Sequence, residues 1–341
     1  MKIEGTLTAL VTPMRDDLSV DFEGLRKNVE FQISEGIDGV LPVGTSGESP
    51  TLSHAEHNDV VKETVKAAAK RCRVLAGCGS NSTAEMLKST AAAHENGADA
   101  SLMVDCYYNG PSSEELMLNY YAPAAEAFPD MSFVPYVIPG RTGTELTAVD
   151  LAVLAGKYPN IRTVKEATGN IERMKYERKL LGDDFSILSG DDDLTFTLMT
   201  DPEIRANGVI SVISNIFPGA LVKMVNLIKS GDVAEAEKIK DKIAPLLCCV
   251  TVKAKNVRTL PGGEKVETVD RYRNPLPIKT LMSMLGLPAG ACRKPLGTMS
   301  AEGIRILRDA AVAVWNNDKS VYDPMQSFYN IDVEKVLFGD K

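Results

Sequence analysis

Along this chain, short apolar runs alternate with longer segments whose apolar residues recur every three to four positions. Such alternation is what parallel strands joined by crossover helices produce. Strands are predicted over residues 3–11, 39–43, 73–77, 100–104, 132–137, 161–164, 185–188 and 208–212. Helical periodicity fills the intervals at 22–34, 55–69, 84–96, 114–127, 148–157, 171–180 and 194–200, and an eighth helix starts near Pro218. Ser53 and Ser82 stand at N-cap positions with Glu56 and Glu85 three residues on, the spacing of two capping boxes.

Eight such units ending near Lys229 predict an α/β protein with a closed (β/α)8 TIM barrel over 1–229. An open doubly wound sheet would use fewer strands and a glycine-rich first turn, and no GxGxxG follows the first strand. Beyond Gly231 the periodicity is helical again at 233–247, 277–285 and 301–315, which predicts a C-terminal helical appendage over 230–318. Within it, residues 250–272 alternate Val, Lys and Thr around Pro261-Gly262-Gly263, a β-hairpin pattern, and a tail runs over 319–341.

Composition narrows the range of partners. A length of 341 residues with 44% hydrophobic content supports a large core. The net charge of −8, without a long basic run, speaks against nucleic-acid binding. No segment has the apolar length of a membrane span, and the first residues lack the layout of a cleavable signal, so a soluble cytoplasmic protein acting on small molecules is expected. The six cysteines have no metal-type spacing and are expected to be reduced.

In a barrel of this kind the chemistry lies where strands end. The second strand runs into Gly44-Thr45-Ser46-Gly47-Glu48-Ser49, whose glycines let backbone N–H groups converge on a carboxylate while two hydroxyls stay free. The sixth ends at Thr163-Val164-Lys165-Glu166, placing an amine at the end of an apolar run, where burial favours the neutral, nucleophilic form. The fifth leads through Tyr136 into a Pro139-Gly140-Arg141-Thr142-Gly143 turn, and the fourth into Tyr107-Tyr108-Asn109. Each feature alone has a plainer explanation: an ion-paired lysine or arginine, core tyrosines, ordinary turn chemistry. Together on neighbouring rims they point to a ketone-binding, amine-dependent site.

These residues resemble the dihydrodipicolinate synthase and N-acetylneuraminate lyase family of pyruvate-dependent class I aldolases. GTSGES at 44–49, the tyrosine-asparagine run near 108, GRTG at 140–143, VKEATGN at 164–170, LSGDDD at 188–193 and GVISV at 208–212 carry the resemblance, which spans about 2–300. It implies an imine between Lys165 and pyruvate, a proton relay through Tyr136, Thr45 and Tyr108, and a pyruvate carboxylate held by the amides of Thr45 and Ser46. Gly190 and the carbonyl of Ile210 would line the pocket. It implies neither metal nor organic cofactor, because the protonated imine is itself the electron sink. Tyr108 would enter a neighbouring subunit's site, so a homo-oligomer is implied, commonly a dimer of dimers.

Within the family, Arg141 resembles the synthase branch, where it would receive the carboxylate of L-aspartate 4-semialdehyde on the route to lysine. Ser49, His54, His57, Asn81, Glu85 and Tyr107 match positions of an L-lysine feedback site at a subunit interface; as plain helix chemistry, His54 and His57 would share a solvated face. Two departures stand out: Val137 replaces an asparagine common after Tyr136, and Cys106 replaces a proline. The hairpin and the tail exceed the usual family length, as subunit contacts or as surface additions. The Asp191-Asp192-Asp193 run is read as helix N-terminal charge rather than as a metal site. Competing expectations are a sister aldolase cleaving N-acetylneuraminate, a 2-keto-3-deoxy sugar acid or a hydroxyproline-derived keto acid, and a non-catalytic amino-acid sensor.

Overall fold

A computed structural model describes residues 1–339; the last two residues of the expected tail lie outside the described residues. Eight parallel strands close into one barrel in sequence order: β1 (Gly5–Ala9), β2 (Gly39–Leu41), β3 (Arg73–Gly77), β4 (Ala100–Val104), β5 (Ser132–Val137), β6 (Thr163–Glu166), β7 (Ser186–Ser189) and β8 (Gly208–Ser211). The seam between β8 and β1 sets Gly208 opposite Gly5, and a Cβ on Gly208 would stand 1.9 Å from the Gly5 carbonyl oxygen. Only glycine lets the barrel close there.

Most helices begin and end within a residue of the predicted positions. The single helix predicted over 114–127 is instead three pieces, Ser113–Leu116, a π-turn over Met117–Tyr121 and Ala122–Ala127. Pro123 has no N–H for the carbonyl of Asn119, and the Thr83 hydroxyl donates to that carbonyl instead, at 2.9 Å. Of the two expected capping boxes, the one at Ser53 forms in full, whereas at Ser82 only half does, because Glu85 accepts from Ser80 Oγ at 2.8 Å. A further box at Ser112 and Glu115 starts the Ser113–Leu116 turn.

Strand β6 also differs from its predicted limits. Ile161 makes only an isolated bridge to Phe133, while Lys165 and Glu166 pair with Leu188 and Ser189 as full ladder members. A hydrophobicity pattern stops at the first charge; the barrel does not. The two side chains point to opposite sides, as a strand requires. Lys165 faces the barrel interior, and Glu166 is buried outside it against Arg173 at 3.0 Å.

The C-terminal helices Val233–Leu247, Leu276–Met284 and Ala301–Asp318 pack beside the barrel, with an antiparallel hairpin of β9 (Thr251–Thr259) and β10 (Lys265–Arg273) between the first two. The tail is not a surface addition. Its helices Asp323–Tyr329 and Val333–Phe338 fold back so that Tyr322, Met325 and Val333 are fully buried. Tyr322 stacks edge-on against Phe217 at 5.0 Å and donates to the Ala311 carbonyl at 2.9 Å, and Tyr329 donates to Asn28 Oδ1 at 2.9 Å. Among the described residues no helix is long and apolar enough to cross a membrane.

Tyr322→Ala removes a fully enclosed ring at the join of tail and barrel, and urea denaturation should show a loss of about 3–5 kcal/mol. A loss below about 1 kcal/mol would place the tail outside the cooperative core.

Candidate active site

At the C-terminal end of the barrel a cavity of about 230 Å³ opens around Lys165. Its floor is apolar, from Ala9, Leu41, Leu102 and Val212, and its polar wall comes from Thr45, Ser46, Tyr136, Arg141 and Asp191. Lys165 and Tyr136 are direct partners across β5 and β6, and the lysine Nζ lies 4.2 Å from the centre of the tyrosine ring. Burial pushes the Lys165 ammonium down to about 8, against the opposing charges of Asp191 and Asp192. Burial also raises the Tyr136 phenol, which has the Thr45 hydroxyl within hydrogen-bonding reach. An amine whose neutral fraction is already appreciable near neutral pH, beside a phenol that keeps its proton, can act as a nucleophile next to a proton shuttle.

The loop after β2 folds tightly, with Gly47 N–H and Ser49 N–H both donating to the Gly44 carbonyl, at 3.1 and 3.3 Å. A Cβ on Gly47 would sit 2.7 Å from the Val43 nitrogen, so this turn requires glycine. Among the described residues, the amides of Thr45 and Ser46 donate to no protein acceptor. They stand at the cavity wall as two free N–H groups for an anionic oxygen. Glu48 fixes the loop from behind. It lies in the left-handed region at φ 57°, its carboxylate pairs in the core with Lys279, and it accepts from the Arg293 amide at 2.8 Å.

Gly190 lets β7 approach: a Cβ there would meet Ala167 Cβ at 2.7 Å and Lys165 Cε at 3.2 Å. Ile210 is fully buried in β8, and it is Val212 that reaches the cavity. The aspartate run supplies no cap to the next helix, which Leu194 caps without a side-chain bond and whose first turn holds no acidic residue. Asp192 is buried and accepts from the amides of Val212 and Ile213 at 2.9 and 3.1 Å, while Asp191 faces Lys165 with its carboxyl raised to about 6 by burial.

The family model of the dihydrodipicolinate synthetase family matches residues 2–313. The chain belongs to that family. A 4-hydroxy-tetrahydrodipicolinate synthase of Methanothrix thermoacetophila is 40% identical over 306 residues, 89% of this chain and 95% of that protein. The solved 4-hydroxy-tetrahydrodipicolinate synthase of Methylacidiphilum fumariolicum SolV superposes with a TM-score of 0.83 at 34% identity, covering 95% of this chain and 99% of that one. A dihydrodipicolinate synthase of Cyanidioschyzon merolae, solved with lysine bound, gives 0.81 at 33% identity over 91% and 98%. Membership makes this chain an enzyme of the lyase type, on a barrel of the class I aldolase kind.

A second cavity, of about 510 Å³, lies beside the first in this dihydrodipicolinate synthetase fold. Ser49, His54, His57, Glu85 and Tyr107 line it, and the Asn81 backbone lies near the Tyr107 phenol. The two histidines do not share a solvated face: His54 is exposed, and His57 is buried with Nε2 3.0 Å from the Gly77 carbonyl. Burial lowers the His57 pKa. Thr45, Leu102, Tyr136 and Arg141 line both cavities, so the two share a wall. Tyr108 lines neither; it stands 89% exposed on the rim with φ 79°.

Some of the site was not signalled by sequence. Asn274 is buried, donates through Nδ2 to Ser46 Oγ at 2.9 Å and lines the Lys165 cavity together with Val250, Thr251, Arg271 and Arg273. All five flank or form the ends of the hairpin. Only an asparagine just before a proline marked the place, and periodicity says nothing of where a hairpin beyond the barrel turns.

A lysine depressed from 10.5 to about 8 costs the folded state roughly 3 kcal/mol wherever the unfolded chain is protonated. That penalty is complete below pH 8 and fades as pH rises towards 10.5. Lys165→Met should therefore be more stable than the parent at pH 7, by up to that amount, with the advantage shrinking towards pH 10. Thermal midpoints across that range read it, and a variant destabilised at every pH would contradict the burial argument.

Proposed function

We propose that this chain condenses pyruvate with L-aspartate 4-semialdehyde to 4-hydroxy-tetrahydrodipicolinate, through an imine on Lys165. The observation that carries it is the desolvated Lys165 amine 4.2 Å from the Tyr136 ring, below the two free amides of Thr45 and Ser46. Those amides would take the pyruvate carboxylate and present its ketone carbon to Nζ. The amine attacks C2, and the hydroxyl of the resulting carbinolamine leaves as water with a proton supplied by Tyr136. Loss of a methyl proton from the imine then gives the enamine. Its carbon attacks the aldehyde, whose oxygen takes a proton, and the semialdehyde's own amine displaces Lys165 from C2 to close the six-membered ring. Arg141 at the mouth would hold the semialdehyde carboxylate.

Tyr108 acts across a subunit contact in this account. A phenol left in solvent on a strained rim residue is well placed to reach a second chain, as a homo-oligomer requires; a dimer of dimers is the assembly we infer from the family. The cavity lined by Glu85, His57 and Tyr107 would take L-lysine: Glu85 suits an ammonium, and the shared Thr45, Tyr136 and Arg141 wall couples it to the catalytic cavity. Such an enzyme would work in the cytoplasm.

Borohydride reduction with pyruvate, followed by peptide mass spectrometry, should place one pyruvate-derived adduct on Lys165, and the untreated enzyme should consume the semialdehyde. An adduct without semialdehyde turnover would indicate a sister aldolase; no adduct would refute the imine. Tyr136→Phe should keep the fold and lower kcat by about 10²–10⁴. Glu85→Ala should abolish L-lysine inhibition while trapping at Lys165 persists; unchanged inhibition would place the effector elsewhere.

A further inference from the structure

The hairpin, longer than the family resemblance accounts for, ends inside the active-site mouth. Its strands pair Arg271 with Lys253 and Arg273 with Thr251, so these four side chains share one face. The opposite face is anchored: Val252 and Ala254 are buried, and the Tyr272 hydroxyl accepts from the Ser300 amide at 3.1 Å at the start of helix Ala301–Asp318. With one face fixed to that helix, the other turns Arg271 and Arg273 into the Lys165 cavity.

The two arginines are used differently. Arg273 Nη1 donates to the Gly140 carbonyl at 3.1 Å, and Arg141 Nη2 donates to the Asn274 carbonyl at 3.0 Å. These reciprocal bonds stitch the turn that carries Arg141 to the base of the hairpin. Arg271 makes no such bond among the described residues; it lines the cavity, lies close enough to Arg141 for their charges to oppose each other, and has its donors unassigned. Burial lowers the Arg141 pKa, and the charges of Arg273 and Arg271 push it the same way. Three guanidinium groups thus meet at one mouth, and none of them is in an ion pair among the described residues. The one carboxylate in the lining, Asp191, is engaged electrostatically with Lys165. Like charges gathered this way are unfavourable until an anion joins them.

We propose that Arg271 is a second carboxylate-binding residue for the acceptor aldehyde, clamping it together with Arg141, while Arg273 and Asn274 position Arg141. This rests on the synthase function proposed above and adds a specificity determinant to it. The acceptor carboxylate would meet two guanidinium groups from different segments, barrel turn and hairpin. A neutral aldehyde would gain from neither and would leave the three charges uncompensated, so the mouth selects anionic acceptors.

The test is steady-state kinetics of Arg271→Gln and Arg271→Lys beside the parent enzyme, with borohydride trapping of pyruvate as the parallel readout. Arg271→Gln should raise KM for the semialdehyde at least about ten-fold, with KM for pyruvate and trapping at Lys165 unchanged. Arg271→Lys should fall between, since an ammonium restores charge without the planar fork. A semialdehyde KM within about two-fold of the parent in Arg271→Gln overturns the proposal, as does an equal loss of pyruvate trapping, which would make the hairpin a mere support for the barrel. A parent enzyme that traps pyruvate but never turns over the semialdehyde would instead refute the synthase function itself.

Discussion

A primary amine enclosed in a closed barrel is the constraint around which this protein is built. Water would hold Lys165 as an ammonium; the barrel removes that water and drives the group down to about 8. The partial compensation by Asp191 and Asp192 keeps the lysine from being wholly discharged and ties β7 to the site. In the proposed reaction the rest of the mouth would bring a ketone to that amine and move protons for it: the Tyr136 ring 4.2 Å away, the Thr45 hydroxyl beside the phenol, the free amides of Thr45 and Ser46. The energy to hold an unfavourable amine comes from a core that runs continuously from the barrel interior through the C-terminal helices to Tyr322 and Leu337.

The loops that complete the site are fixed by charges no less buried than the lysine. Glu48 and Lys279 form an ion pair almost without solvent contact, and Lys279 also donates to the carbonyls of Thr12 and Ala291 at 3.1 and 3.0 Å. Removing one member of such a pair strands the other, at about 3–5 kcal/mol. The pair joins the loop after β2 to the helix Leu276–Met284, so the C-terminal segment stabilises the amides of Thr45 and Ser46 from outside the barrel. Asp192 does the same at β8 through the amides of Val212 and Ile213. The appendage is therefore part of the active site's support, and through Asn274 and Ser46 it also touches the site directly.

Much of this could be read from sequence because burial and chemistry coincide in a parallel barrel. β3, β4 and β5 lie where alternation of pattern placed them, since each closes on an apolar run with no charge inside it. Lys165 was legible because an amine closing an apolar run is conspicuous, though the pattern ended the strand one residue before it. Thr45, Ser46 and Arg141 were visible as turn chemistry at strand ends, whereas Gly190 came only with the family resemblance. Three things were not. The aspartate run reads as helix charge until the fold shows Asp192 holding backbone amides of another loop. His54 and His57 look equivalent at their spacing, yet the barrel buries only one. The direction of the hairpin depends on Val252, Ala254 and Tyr272 docking on a helix that starts only at Ala301, a long-range contact with no local signature.

The most direct test of the central claim is the pH dependence of the second-order rate constant for imine formation between pyruvate and the resting enzyme, followed by rapid borohydride quench. A buried amine predicts a rate that climbs with pH and levels off above an inflection near 8. An inflection near 10.5, the value of a solvated lysine, would show that the barrel does not tune the amine and would contradict the account.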